Sequence, residues 1–298
     1  MSIIGFIGIG VMGLPMARTL LRGGHQVRAF DLDPARLETI AADGASIAAT
    51  AGDAASGSEY VITMLPNSDH VKTALFGPDG AAAALDEQTL AIDMSTVLPA
   101  AFDETAEQLA GMGIRMIDAP VGRTSHAAAS GELLIMVGGD VEDVEKARPV
   151  LGHMGDTIIH CGPRGAGMRT KLINNYLSIA SNVVVAEALT LAESAGLDQE
   201  LVIEVLMGTT AGKGHLATTY PAKVLANDLE PGFMVDLAFK DLGLALEMGS
   251  DAGVALLAGT AAKEVYAAAR SQGRGSQDWT GILPAVRQLS ALQDPSEG

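Results

Sequence analysis

From residue 2 to about residue 162, short apolar runs alternate with amphipathic stretches, and after residue 167 the alternation stops. The runs 3–7, 26–31, 60–65, 89–93, 115–119, 133–138 and 157–161 have the length and composition of strands. Between them lie helical patterns such as 12–21, where Leu14, Ala17 and Leu21 share one face. Strand–helix alternation of this kind predicts a parallel, doubly wound sheet with helices on both faces.

The second half reads differently. Ala- and Leu-rich patterns predict helices over roughly 168–195, 199–206, 236–250 and 260–271, with Gly196 and Gly208 placed to end the first two in a left-handed residue. The breaker cluster 161–167, Cys-Gly-Pro-Arg-Gly-Ala-Gly, separates the halves. The expected architecture is therefore α/β: an N-terminal domain over 1–163 and an all-helical domain over 164–298, whose polar end 293–298 is expected to fray. The helical half is apolar enough to predict a homodimer or homotetramer.

Composition narrows the function. Of 298 residues 48% are apolar and 18% charged, as in a globular chain, and 36 acidic against 19 basic residues give a net charge of −17. That balance argues against a nucleic-acid or anionic-membrane surface, and it means an anionic ligand has to be captured by a local site. Cys161 is the only cysteine, which excludes an intrachain disulfide and fits a reducing compartment. Met1 runs within two residues into an apolar strand, with no signal-peptide pattern, and the apolar stretch 177–191 is short for a bilayer and interrupted by Ser181, Asn182 and Glu187. A cytoplasmic location is the expectation, and no metal site is expected.

The first chemical motif is Gly8-Ile9-Gly10-Val11-Met12-Gly13. A bare GxGxxG says little, but this one follows an apolar strand and opens a helix at the start of a βαβ unit. Gly8 permits the turn, Gly10 lets backbone approach a pyrophosphate, and Gly13 lets helix and strand pack closely, with the phosphates on free N–H groups at the helix N-terminus. Asp31 ends the second strand, where a carboxylate bonds the adenosine ribose and disfavours a 2′-phosphate, so NAD is the expected cofactor. Arg36, nearby, leaves room for the opposite preference.

Further candidates sit at later strand ends, where such sheets open their ligand crevice. Met64-Leu65-Pro66-Asn67 and Asp93-Met94-Ser95-Thr96 are two of them, although Asn67 and Ser95 are equally good helix caps. Gly122-Arg123-Thr124-Ser125 sets a guanidinium beside two hydroxyls and a glycine, a compact anion receptor; the plainer reading is a surface arginine in a loop. On a helix, Lys171, Asn174 and Asn175 share one face at i, i+3 and i+4 of an otherwise apolar segment. Partial burial lowers a lysine's pKa and makes it a better proton donor near neutrality, whereas a lysine merely snorkelling to solvent has no such task.

Taken in order, these motifs, with Asp118-Ala119-Pro120-Val121, Gly165-x-Gly167-x-x-x-Lys171-x-x-Asn174-Asn175 and Lys240-Asp241-Leu242, resemble the β-hydroxyacid dehydrogenases over essentially the whole chain. The resemblance implies a Rossmann-type NAD domain followed by a helical substrate and oligomerisation domain. It implies Lys171 as the catalytic acid/base, with Asn175 supporting substrate and lysine. Ser95 and Thr96 would line the cofactor and substrate cleft, Asn174 and Ser178 would contact substrate, and Lys240 would reach the cofactor. One departure stands out: most of the family continues Pro-Val with Ser-Gly-Gly, whereas this chain reads Gly122-Arg123-Thr124-Ser125. With Leu172 to Tyr176 and Gly212-Lys213-Gly214-His215, it is similar to the branch that reduces a sulfonated aldehyde, 3-sulfolactaldehyde. A pyramidal sulfonate wants more donors than a planar carboxylate, and Arg123 would supply them.

The function this implies is NADH-dependent reduction of a small anionic aldehyde, with Lys171 donating the proton. Succinic, tartronate or hydroxyisobutyrate-type semialdehydes remain alternative substrates. Two rivals are a dinucleotide-binding regulator, which would not need Lys171, and a decarboxylating phosphogluconate-type dehydrogenase, which would want a larger basic pocket.

Overall fold

The computed structural model describes residues 1–290; the tail 293–298 lies outside the described residues. The alternating half forms β1 (Ile3–Ile7), α1 (Gly13–Arg22), β2 (Gln26–Phe30), α2 (Pro34–Ala42), β3 (Ser46–Ile47), α3 (Ala51–Ala55), β4 (Tyr60–Thr63) and α4 (Ser68–Phe76). It continues with β5 (Leu90–Asp93), α5 (Pro99–Ala110), β6 (Arg115–Asp118), β7 (Val121–Gly122), α6 (Ser125–Ser130), β8 (Leu134–Gly138), α7 (Val141–Met154) and β9 (Thr157–Gly162). The helical half comprises α8 (Ala166–Ser194), α9 (Gln199–Gly208), α10 (Thr210–Lys213), α11 (His215–Thr218), α12 (Val235–Asp251), α13 (Leu257–Ser271) and α14 (Ile282–Leu289).

The strands make one nine-stranded sheet in the order β3-β2-β1-β4-β5-β6-β8-β7, with β9 beside β8. From β3 to β6 every pairing is parallel, and the order reverses direction at β1, which pairs β2 on one side and β4 on the other. That reversal is the switch point at which the carboxyl ends of the strands splay into a crevice.

The expected all-parallel sheet needs one correction. β8 runs antiparallel to β6 and β7, in the register Asp118↔Gly138, Val121↔Ile135 and Gly122↔Leu134. β7 and β8 are joined by 123–133 with the short helix α6, a connection brief enough to turn the chain back antiparallel. β9 then returns parallel to β8 through α7. The two-residue strands β3 and β7 were beyond the reach of a period-two pattern.

Successive strand residues feed opposite faces. Phe6, Ile62, Ile92 and Ile117 join a core with Met16, Leu20, Val144 and Leu151. Their neighbours Ile7, Val61, Ala91 and Met116 join a second core with Val71, Leu75, Phe102 and Met168. Burial on both faces explains why these runs read as nearly continuous apolar segments rather than as clean alternation.

The chain divides into two compact units, Met1–Tyr176 and Leu177–Gly298. Within the second, Val235, Ala269 and Ala285 are buried together against Tyr266 and Ile282. Glu187 accepts the backbone N–H groups of Ala258 (2.8 Å) and Gly259 (3.2 Å), satisfying donors at the start of α13. Gly196 is left-handed (φ 70°), as a helix-ending residue should be. Gly208 is not: it is the last residue of α9, and extended Thr209 follows it, accepting the N–H of Ala211 to open α10. By length and composition α8 would pass for a membrane-crossing helix, although its apolar run 177–191 is short for one.

Candidate active site

The glycine motif forms the turn between β1 and α1. Gly8 takes φ 101°, and a Cβ there would strike the Met64 carbonyl at the end of β4. A Cβ at Gly13 would overlap the Gly8 carbonyl oxygen, so this glycine is what lets the helix sit against the turn. Gly10 has open space where its Cβ would project. That space belongs to a cavity of about 980 Å³ whose walls include Gly8, Gly10, Val11, Met12, Gly13, Asp31, Met64, Leu65 and Pro66. Ile9 is buried beneath it rather than in its wall. A cavity of this size, with a glycine opening onto it beside the start of a helix, fits a dinucleotide and its pyrophosphate.

Asp31 ties the cavity together. Its Oδ2 accepts the Ile9 N–H at 2.6 Å and its Oδ1 the Asp33 N–H at 2.8 Å, so the carboxylate is aligned, with acceptor capacity left for ribose hydroxyls. Arg36 lines the same cavity and leans on Asp33 at 3.6 Å. The sequence reading missed the far wall, 49–51 and 78–80, together with Asp69, His70 and Thr73. Only turn chemistry marks those stretches in the sequence: Thr50 caps α3 through the Asp53 N–H, and Asp79 is left-handed at φ 58°.

At the ends of β4 and β5 the polar residues face inward. Ser95 is fully buried; its hydroxyl accepts the Leu65 N–H at 2.9 Å, which braces the Met64–Pro66 turn from behind. Asp93 is buried too, with Oδ1 accepting from the Thr63 hydroxyl and the Ser95 N–H while Oδ2 has no partner among the described residues. Burial pushes the Asp93 carboxyl up, in favour of its neutral form. Thr96 is exposed and does not line the cavity. Asn67 caps α4 through the His70 N–H, as its residue type suggested.

Next in register is Asp118, at the end of β6. It accepts the N–H groups of Gly165 (2.7 Å) and Met168 (2.6 Å), where α8 begins. Three residues on, Lys171 is half-buried, and it makes no hydrogen bond or ion pair among the described residues. Burial lowers its pKa. Asn175 is half-buried and accepts from the Asn174 amide at 3.2 Å, so spacing and contact both put the two amides together. Ser178 is exposed and lies in the second unit.

Arg123 departs from the simple anion-receptor picture. It is left-handed (φ 72°), and its Nη1 pairs with Asp156 at 2.7 Å and donates to the Glu132 carbonyl, while Nη2 donates to the Thr157 hydroxyl at 3.3 Å. The guanidinium thus reaches across the start of β8 to β9. Gly122 is buried; Thr124 and Ser125 are exposed at the start of α6. The Lys240 side chain lies outside the described residues. Among those residues no cluster of His, Cys, Asp and Glu could hold a metal ion.

Comparison with known proteins places the chain in a family. Residues 3–162 match the domain family described as the NAD binding domain of 6-phosphogluconate dehydrogenase. Residues 165–286 match the one described as NAD-binding of NADP-dependent 3-hydroxyisobutyrate dehydrogenase. A 3-sulfolactaldehyde reductase of Escherichia coli (strain K12) is 47% identical, over 98% of each chain. A 2-(hydroxymethyl)glutarate dehydrogenase of Eubacterium barkeri is 37% identical, over 97% of this chain and 96% of its own. Among solved structures, 3-hydroxyisobutyrate dehydrogenase of Mycobacterium tuberculosis with L-serine is 34% identical and superposes with a TM-score of 0.69, covering 96% of this chain and 99% of its own.

Proposed function

The chain belongs to the β-hydroxyacid dehydrogenases, NAD-dependent oxidoreductases, and from that premise we propose that it reduces 3-sulfolactaldehyde to 2,3-dihydroxypropane-1-sulfonate. The observation that carries the chemistry is Lys171, half-buried and unpaired on a helix whose first turn is bonded to the strand end beside Asp93. The substrate class rests on the likeness to 3-sulfolactaldehyde reductase and on Arg123 in place of the usual Ser-Gly-Gly.

NADH, when bound, supplies a hydride to the aldehyde carbon. Lys171 then protonates the developing alkoxide, passing from ammonium to amine and regaining its proton from solvent. Burial favours this step, because a depressed pKa makes the ammonium a stronger acid at neutral pH. Asn175 and Asn174 face the same way along the helix and hold the hydroxyl end of the substrate. Gly8 to Gly13 and Met64 to Pro66 wall the cofactor, and Asp31 selects NADH over NADPH. Arg123 binds the sulfonate, with Gly122, Thr124 and Ser125 alongside, and does so by exchanging Asp156 for the ligand. A cytoplasmic homodimer or homotetramer is the state we infer for it.

The Arg123–Asp156 pair also favours a second reading: an arginine that stays on Asp156 leaves a general semialdehyde reductase. Assaying the purified protein with NADH against sulfolactaldehyde, succinic semialdehyde and tartronate semialdehyde tests the two. A kcat/KM highest for the sulfonate by at least tenfold (about 1.4 kcal/mol) supports the first reading, and parity overturns it.

A further inference from the structure

The first turn of α8 is held in an unusual way. A helix start leaves four N–H groups without partners, and a neighbouring Ser, Thr, Asp or Asn ordinarily takes one of them. Here two are taken by the carboxylate of Asp118, 47 and 50 residues earlier in the chain: Oδ1 by Gly165 at 2.7 Å and Oδ2 by Met168 at 2.6 Å. An anion at this end is favoured by the helix dipole as well as by the two charge-assisted bonds.

Two glycines make the reach possible. A Cβ at Gly138 would overlap Asp118 Oδ1 and come within 2.8 Å of the backbone nitrogens of Ala166 and Gly167. A Cβ at Gly167 would overlap the Met136 carbonyl and lie 3.0 Å from Asp118 Oδ2. The helix therefore begins directly on the end of β8, backbone against backbone, with the carboxylate closed over it. On the other core face Met168 is completely buried, and its sulfur accepts the Val97 N–H at 3.3 Å. Lys171 follows Met168 by three residues. It has no polar partner of its own among the described residues, so where α8 sets its backbone decides what its ammonium can reach.

We propose that Asp118 is a positioning residue for the reduction, a clasp that ties the lysine-bearing helix to the sheet end and so fixes where Lys171 meets the carbonyl. The proposal rests on Lys171 being the proton donor. A displacement of about 1 Å at a reacting group can cost on the order of 10² in rate, so a loosened clasp shows in kcat before it shows in cofactor binding.

The titratable and charged groups around the clasp are of both signs. Asp93 on β5 is its register neighbour; on α8, Arg169 faces Asp103 of α5 at 2.6 Å and feels the Asp118 charge. On β9, His160 rests on the carbonyls of Gly139 and Gly162. Burial pushes Asp118 up to about 6, against the pull of the Gly165 and Met168 N–H groups. Protonation takes one acceptor from the clasp, so the clasp weakens as pH falls through that value.

The test uses the full-length enzyme, NADH and its best aldehyde substrate. Asp118→Asn keeps the shape but turns an amide donor toward one of the two N–H groups. Gly167→Ala presses a methyl group on the Met136 carbonyl and on Asp118 Oδ2, displacing the helix start with the carboxylate intact. Asp143→Asn, which breaks the Arg115–Asp143 pair at the other end of β6, controls for general destabilisation. Expected at pH 7.5 are kcat losses of about 10- to 100-fold in both clasp variants. KM for NADH should stay within about twofold, and the control's kcat should be unchanged. In the unmutated enzyme kcat should also fall on the acid side around pH 6, and Asp118→Asn should lack that limb. Should Asp118→Asn fail to fold, Gly167→Ala carries the test. Unchanged kcat in a folded clasp variant, or an acid limb that survives Asp118→Asn, overturns the clasp. Unchanged kcat in Lys171→Ala overturns instead the reading on which the clasp rests.

Discussion

The two units solve the same problem with different completeness. In the first, apolar residues on both faces of the strands are enclosed, and the polar residues among them, Asp93, Ser95 and Asp118, are bonded to backbone or to one another. In the second, α9 has no buried residue at all, and Leu201, Val205 and Met207 are each more than half exposed. Hydropathy alone does not separate these cases, since both stretches are rich in Leu, Val and Ile. What separates them is whether the chain itself brings a covering layer. The lesson for the candidate site is that Lys171 lies on the enclosed unit, on a helix whose first turn is bonded to the sheet end.

Stability measurements can break this contrast. Ile62→Ala, in the fully enclosed core, should cost about 2–5 kcal/mol by chemical denaturation, while Leu201→Ala should cost less than about 0.5 kcal/mol at low protein concentration. Equal costs would mean that α9 is covered after all; a cost for Leu201→Ala that appears only with rising concentration would point to a second copy as the cover.

Arg123→Gly comes next in size. It should lower kcat/KM for sulfolactaldehyde by at least about 2 kcal/mol and leave an aldehyde without an anionic group almost unaffected. If both substrates suffer alike, the residue serves the Asp156 pair and the loop, and the sulfonate assignment loses its support. Asp31→Ala should erode the preference for NADH over NADPH by about tenfold, roughly 1.4 kcal/mol, measured as the ratio of the two kcat/KM values. Equal use of the two cofactors by the unmutated enzyme would contradict that role. Smaller than these is Glu187→Gln, which weakens acceptance of the Ala258 and Gly259 N–H groups and should cost about 1 kcal/mol of stability in the helical unit without altering kcat.

Much of the enclosed unit was legible because its strands are long enough to register as apolar runs and its glycines occupy positions only glycine tolerates, Gly8 and Gly13 above all. The lysine face was legible from spacing. What escaped has a physical reason in each case. The direction of β8 depended on the length of a connection rather than on the strand's own residues. The cavity wall at 49–51 and 78–80 is built of small residues and turns with no periodicity. Ser95 reads both as a cleft residue and as a cap; that its hydroxyl accepts the Leu65 N–H behind the Met64–Pro66 turn was not legible, because a serine two residues past a strand reads the same whether its hydroxyl faces a cleft or a neighbouring N–H. Arg123 read as a free donor fork, since its partner Asp156 lies 33 residues away and carries no local signal. Asp118 was visible only as part of a motif; nothing in the sequence tells a carboxylate that closes a distant helix from one that faces solvent.

The central claim is that Lys171 is the proton donor of an aldehyde reduction, and the pH dependence of kcat in the unmutated enzyme and in Lys171→Ala tests it most directly. The unmutated enzyme should lose activity as pH rises through the lysine's pKa, at a midpoint below the ordinary 10.5 because burial depresses it. Lys171→Ala should lower kcat by about 10²- to 10⁴-fold, remove that alkaline limb and keep NADH affinity within about twofold. A variant that holds kcat and raises only KM would contradict the account, and would make Lys171 a residue that binds the substrate rather than one that completes its reduction.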